Sequence, residues 1–427
     1  MSTEDTGAVM HGWAQDMFPY PRSLSGPGVE QTFAYLTNLI PGLKVHHVSS
    51  GTQAFDWTVP DEWTIRDAYI ENEAGERIIN FSDSNLHLVG YSEPVDEWLD
   101  LEALQERLYS LPDQPDAIPY VTSYYKRRWG FCLTENQRKT LKPGKYHVVV
   151  DSDLKPGHLK YGEILIPGLE QTEVMLSTYI CHPSMGNNEL SGIVVTTALT
   201  RWLQSAPMRH SYRIIFVPET IGSIIYLSQH LAHLKQHLIS GFVLTCMGDE
   251  RTYSLMPSRT GKTLADKVAL HSLKHLEDDF HHYSFLQRGS DERQYCSPLV
   301  DLPVVSIMRS KYAEYPEYHT SLDDLDLITP NGLQGGFDVI KRCIQTLELN
   351  YTYKATVPCE PQLGKRGLYP TLSRTGSADQ IRETMNVLAY ADGTLDLIDI
   401  ADAIGTDALT ASKIAEKMYE HNLLERI

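Results

Sequence analysis

The stretch "STYICHPSMGNNELSG" (177–192) places an imidazole, two amides and a carboxylate where an apolar strand gives way to a helix. A neutral imidazole at His182 can bind a metal while its other nitrogen is held by a neighbouring group. A histidine alone at a turn more often only caps it. Here Asn188 and Glu189 follow just before "LSG" opens a helix, and imidazole plus carboxylate at one strand end suit zinc. Glu219, in "FVPETIGS", ends a second apolar strand. A carboxylate there is costly unless paired, solvated or metal-bound, and it is a natural general base for activating water. Its plain alternative is a Glu favoured by a helix N-terminus. "GSDERQYCSP" (289–298) groups Asp291, Glu292 and Arg293, and "EYPEYHTSLDDLD" (314–326) sets His319 before a hydroxyl and an acidic pair. The plain readings of these two are a solvated acidic loop and a turn capped by Asp323.

The elements that must position these residues alternate. "EVMLSTYI" (173–180), "YRIIFVP" (212–218), "GFVLTCMG" (241–248) and "LPVVSIM" (302–308) read as buried strands. Between and after them, residues 192–204, 221–238, 262–276 and about 331–351 read as helices. Short apolar strands between amphipathic helices predict an α/β fold, a mainly parallel sheet flanked by helices. Ligands of such folds bind beyond the carboxyl ends of the strands. "CHPSMGNNE", "PET" and "MGDE" each fall at such an end.

Residues 61–139 alternate apolar and polar positions with turn signals such as "EAGE" and "SDSN", which predicts an inserted β-rich domain. It splits an α/β domain of residues 1–60 and 140–355. Residues 367–427 read as three helices and a short strand, a winged helix with "DALTASKIAEKMYE" as its recognition-type helix. From Ser377 onward there are ten Asp and Glu against four Lys and Arg, so protein contact is expected there rather than nucleic acid. The formal net charge of −18 also disfavours nucleic-acid backbones and anionic membranes. No apolar run approaches the ~20 residues of a membrane span, and no secretory signal is evident. Six scattered cysteines without a CxxC pair argue against a disulfide framework, so a reducing cytoplasm is the expected location.

In their order, "STYICHPSMGNNELSG", "FVPETIGS", "GSDERQY" and "PEYHTSLDD" resemble the di-zinc aminopeptidase superfamily over residues 1–60 and 140–355. More closely, they resemble a bacterial family of aminopeptidase-like proteins with an inserted small domain of unknown function and a C-terminal winged helix. Some members are labelled for polysaccharide biosynthesis. The resemblance implies that His182 and His319 are metal ligands and Glu219 the base. Several carboxylates of the superfamily pattern are altered. Ser184 stands where an Asp usually orients the first His. Asn188 stands at the bridging Asp, with Glu189 beside it, and Thr220 replaces a ligand Glu. Another ligand Asp falls near Cys246, with Asp249 three residues on.

One zinc per chain is therefore expected, on His182, Glu189 and His319, with Glu219 activating water. Asp249, Asp291, Glu292, Arg293 and Arg309 are expected to line the substrate cleft, the acids holding an amino group and an arginine a carboxylate. The function this implies is a zinc-dependent hydrolase cutting an amide next to a free amino group in a small peptide or amino-acid conjugate. Two alternatives remain open: a peptidase-fold protein that binds a small ligand and regulates, and a zinc-assisted acyl transferase or cyclase. A homo-oligomer is compatible with this layout.

Overall fold

The structure is a computed structural model. It describes residues 6–277, 279–368 and 377–427, the side chains of 377–380 excepted. The chain divides into two compact units. The first comprises residues up to Ala265 together with His281–Phe337, and the second comprises Asp266–Phe280 and Asp338–Ile427.

The first unit is built on an eight-stranded sheet. Its order is 44–49, 158–166, 211–217, 173–179, 238–244, 304–308, 254–256 and 281–282. The central four strands, Ser211–Val217, Glu173–Tyr179, Leu238–Leu244 and Val304–Met308, run parallel. All but one of their residues are buried, as expected for strands covered on both faces. The helices Ser191–Leu203 and Ile221–His237 follow the strands Glu173–Tyr179 and Ser211–Val217. The third strand begins and ends earlier than the sequence pattern predicts. It stops at Leu244, and Cys246, at φ 52°, bends the following residues out of the sheet.

The glycine of "LSG" is dictated by packing. A Cβ on Gly192 would lie 2.4 Å from the Leu244 carbonyl oxygen and 2.6 Å from Thr178 Oγ1. Only a residue without a side chain lets the helix seat this closely on the strands.

A second sheet draws on the region expected as a β-rich insert. This four-stranded antiparallel sheet, in the order 77–80, 62–72, 145–155, 95–100, takes a strand from Lys145–Lys155, beyond the expected boundary at 139. Nor does its core stand apart. Trp63, Ile65, Tyr91, Phe131 and Val148 belong to one buried apolar cluster with Met175, Ile215 and Val217 of the large sheet. Contiguous burial of apolar area favours one core over two small ones.

In the second unit the helices Ser377–Tyr390, Leu397–Ile404 and Ala408–Glu420 form the predicted three-helix set. The small sheet, in the order 392–396, 352–355, 424–426, recruits a strand that lies before the expected start at 367. No helix among the described residues is long and apolar enough to cross a membrane.

Candidate active site

Loops after the parallel strands carry the site, and three hold a residue in a costly backbone conformation. Ser184 sits at φ 40°, Thr220 at φ 65° and His319 at φ 55°. Non-glycine residues in this region each cost about 1–3 kcal/mol and cluster at functional sites. "GNNEL" is a π-helical turn, Gly186–Leu190, rather than the first turn of the α-helix. The wider turn buries Asn187, Asn188 and Glu189 together, each at most 1% exposed. Asp323 anchors it, accepting the backbone N–H groups of Asn187 (2.5 Å) and Asn188 (3.0 Å) and the hydroxyl of Tyr315 (2.8 Å). The expected capping role of Asp323 is thus seen, although the turn it caps is 136 residues away.

His182 lies between two carboxylates. Its Nδ1 is 2.8 Å from Glu189 Oε2, and its Nε2 is 3.7 Å from Glu219 Oε2. Behind Glu189 stands a residue the sequence reading missed. The Arg22 side chain has no exposed surface, donates to the carbonyls of His182 (3.0 Å) and Met17 (2.6 Å), and lies 3.8 Å from Glu189 Oε1. Burial works against a charged imidazole at His182, but Cys181, Tyr120 and Glu189 outweigh it and hold its pKa well above the ordinary value. Burial lifts Glu219 above the ordinary carboxylate range, against the charge of His182. Ser290 fixes the other oxygen of Glu219, donating its hydroxyl at 3.0 Å.

His319 faces His182, with ring centroids 5.3 Å apart. Burial, then the proximity of His182, pushes its pKa down to about 3, so the ring is neutral. Its Nε2 is buried without a hydrogen-bond partner. Neutral imidazole with an unused lone pair is the form that binds metal.

The residues expected to bind substrate are mostly engaged in other contacts. Asp249 is 1% exposed and saturated, accepting from Asn187 Nδ2, the Ser310 N–H and hydroxyl, and the Arg251 N–H at 2.8–3.0 Å. Glu292, with no exposed surface, takes the N–H groups of Gly289 and Ser290 and the hydroxyl of Tyr312. Asp291 is also fully buried and accepts from the Thr220 N–H (2.7 Å) and the Ser223 hydroxyl (2.9 Å). Burial, then the charge of Glu219, raises its pKa to about 7. Asp249 and Glu292 brace loops, and Asp291 does so through Oδ1, while its Oδ2 is buried without a hydrogen-bond partner. Arg309 likewise donates to the Asp249 carbonyl at 2.9 Å and lies over the Tyr253 ring. Arg293 alone of the five is exposed, its Nη2 donating to Thr220 Oγ1 at 2.6 Å.

Several positions where the resembled superfamily carries metal ligands hold other groups here. Those groups are neutral and already engaged. Asn188 Oδ1 accepts from Tyr179 (3.0 Å), Thr220 Oγ1 from Arg293, and burial keeps the Cys246 thiol protonated. The three potential donors within 4.8 Å of one another are Cys181, His182 and Glu189. His319 is not among them. On that face burial raises the Cys181 thiol to about 11, and the Arg22 cation lies against Glu189, so the face is a hydrogen-bonded cluster. The opposite face of His182 carries Nε2, 3.7 Å from Glu219 Oε2, and looks towards the His319 ring. A second donor group, His271, His275 and Asp402, lies in the second unit. There Nδ1 of His271 is 2.8 Å from Asp402, and its Nε2 accepts the Ala408 N–H at 2.9 Å, so its ring nitrogens are already used.

Parallel strands whose carboxyl ends carry His182, Glu219 and His319 define the class: this is the aminopeptidase-like α/β fold. A zinc aminopeptidase of Bacillus subtilis superposes with a TM-score of 0.57 over 80% of this chain and 94% of its own, at 12% identity. At that identity the likeness concerns the fold alone. Residues 11–350 match the family model described as domain of unknown function DUF4910, and residues 351–426 match a winged helix-turn-helix model. A Clostridium acetobutylicum protein, named for polysaccharide biosynthesis and an aminopeptidase-like domain, is 40% identical over 430 residues, covering 100% of this chain and 98% of its own. A crystal structure from Clostridium acetobutylicum, described as a peptidase, superposes with a TM-score of 0.93 over 99% of this chain and 97% of its own, at 40% identity. The chain belongs to the DUF4910 family.

Proposed function

We propose that this protein is a metal-assisted hydrolase that cleaves an amide in a small peptide or amino-acid-derived substrate. The observation that carries the reading is the pair of imidazoles: His182 Nε2, 3.7 Å from the Glu219 carboxylate, and the buried, unpartnered Nε2 of neutral His319. These two nitrogens would hold one zinc ion. When bound, zinc supplies Lewis acidity, polarising a carbonyl and making water a nucleophile near neutral pH. Glu189 holds the proton on His182 Nδ1, so that a metal ion binding at Nε2 would displace only the proton carried there. It acts as an orienting group in place of the ligand role expected from the sequence. Glu219 Oε2, in a site that raises its pKa, accepts the proton of the attacking water, and Ser290 fixes its other oxygen. Recognition of a substrate amine by Asp249, Asp291 and Glu292 is dropped, because all three are buried and hold loop groups. Arg293 is the exposed charge among the expected binding residues, which favours a substrate bearing a carboxylate.

The test is turnover of a panel of amino-acid amides and dipeptides by zinc-loaded protein, wild type and Glu219→Gln. Saturable hydrolysis that Glu219→Gln abolishes while zinc stays bound is expected. Full activity in Glu219→Gln would refute the base assignment. A second reading, a ligand-binding regulator, draws on Asn188 and Thr220 at the altered ligand positions and on the winged helix. Tight binding of a panel member without turnover would favour it. Protein contact by the winged helix, action in the cytoplasm and assembly into a homo-oligomer belong to the same proposal.

A further inference from the structure

The two imidazoles of the site are held in different ways. His182 has a carboxylate on Nδ1. His319 has no hydrogen bond to either ring nitrogen among the described residues, yet metal-binding histidines ordinarily have their second nitrogen tied. Its ring is held by aromatic side chains. Tyr318 stacks on one face, with centroids 3.9 Å apart and planes 11° apart. Tyr120 meets it edge-on at 5.1 Å and 84°. The same Tyr120 ring is 5.3 Å from His182, so it touches both imidazoles.

Tyr120 comes from the inserted region, not from the strand-end loops of the α/β sheet. Its segment is spliced to the His319 loop by backbone bonds. The Tyr120 N–H donates to the His319 carbonyl (2.8 Å), and the Ser321 N–H to the Ile118 carbonyl (2.8 Å). The Ile118 N–H donates to Ser321 Oγ (2.9 Å). His319 itself is at φ 55°, a conformation that persists only where its surroundings impose it. The splice supplies that constraint.

We infer that Tyr120 is a positioning residue for both His182 and His319, so that the insert completes the metal site. Its ring, rather than its hydroxyl, fixes how far apart and at what angle the two imidazoles stand. The inference rests on the proposed metal site, but it does not require that any amide be cleaved.

The test compares Tyr120→Phe and Tyr120→Ala by two readouts. Cobalt and zinc affinities are measured by competition with a chelator. The histidine ring-proton resonances of metal-free protein are recorded by NMR. Tyr120→Phe keeps the ring and is expected to bind within about twofold of wild type, with His182 and His319 resonances in place. Tyr120→Ala is expected to bind about 10–100-fold more weakly, the usual cost of losing an orienting partner, with both resonances shifted. Trp98→Ala, exposed on the insert's own sheet, controls for general loosening of that region and is expected to leave both readouts unchanged. Wild-type affinity and unshifted resonances in Tyr120→Ala would overturn the inference. So would a Tyr120→Phe variant as weak as Tyr120→Ala. If wild-type protein binds neither metal, the proposed function fails, while the resonances still test the clamp.

Discussion

Removing the positive charge of Arg22 should destabilise the first unit chiefly through Glu189. Both side chains are fully buried, 3.8 Å apart. At an effective dielectric of 20, two unit charges at that distance attract by about 4 kcal/mol. Truncating one partner of a buried pair typically costs about 3–5 kcal/mol, because the other charge is left uncompensated. Arg22→Met also strips a donor from the carbonyls of Met17 and His182. That loss is equal with or without Glu189, so a double-mutant cycle with Glu189→Gln isolates the pair. A coupling of about 2–3 kcal/mol is expected, the upper part of the range for residues in one network. The assay is urea unfolding of metal-free protein followed by tryptophan fluorescence. All six tryptophans lie in the first unit, so the signal reports that unit alone. If the two effects add within about 0.5 kcal/mol, Arg22 does not act through Glu189, and the relay behind His182 is refuted.

Other expectations are more local. His182→Ala and His319→Ala should each lose the metal, read as metal content after dialysis; normal content in either would remove that residue from the ligand set. Asp291 has a folded pKa raised to about 7, so the stability it contributes is fully present below its ordinary pKa and lost as pH rises through 7. Asp291→Asn should therefore gain stability relative to wild type between pH 5 and pH 8 in urea titrations, and an equal difference at both pH values would contradict the assignment. His271→Ala should lower the second unit's stability by about 1–3 kcal/mol, the cost of buried groups left unpaired, without changing metal content. Its effect is read by circular-dichroism melting, and loss of a bound metal would show that the His271 cluster is a site after all.

The α/β core was legible because fully buried parallel strands and amphipathic helices leave different apolar periods. The turn "CHPSMGNNELSG" was legible as a candidate site because it joins metal-ligand types to a strand end. What stayed hidden depends on contacts distant in sequence. Arg22 sits in "PYPRSLSG", where nothing local marks it as a buried ion partner of residues more than 150 positions away. Tyr120 reads as one aromatic in an aromatic-rich insert, and only the splice to Ile118–Tyr120 brings it to His319. Asp249 and Glu292 illustrate the converse difficulty. A carboxylate near a motif has the same sequence whether it faces solvent or receives backbone N–H groups, and here both are consumed by the loops they hold.

The central claim is one metal ion on the His182–His319 face. Metal content per chain by inductively coupled plasma mass spectrometry, on protein purified without added metal or chelator, tests it most directly. One zinc per chain, lost in His319→Ala, is the predicted result. Two per chain would bring Asn188, Thr220 or Cys246 into coordination, and none after zinc is offered would leave a metal-free binding protein; either would contradict the account.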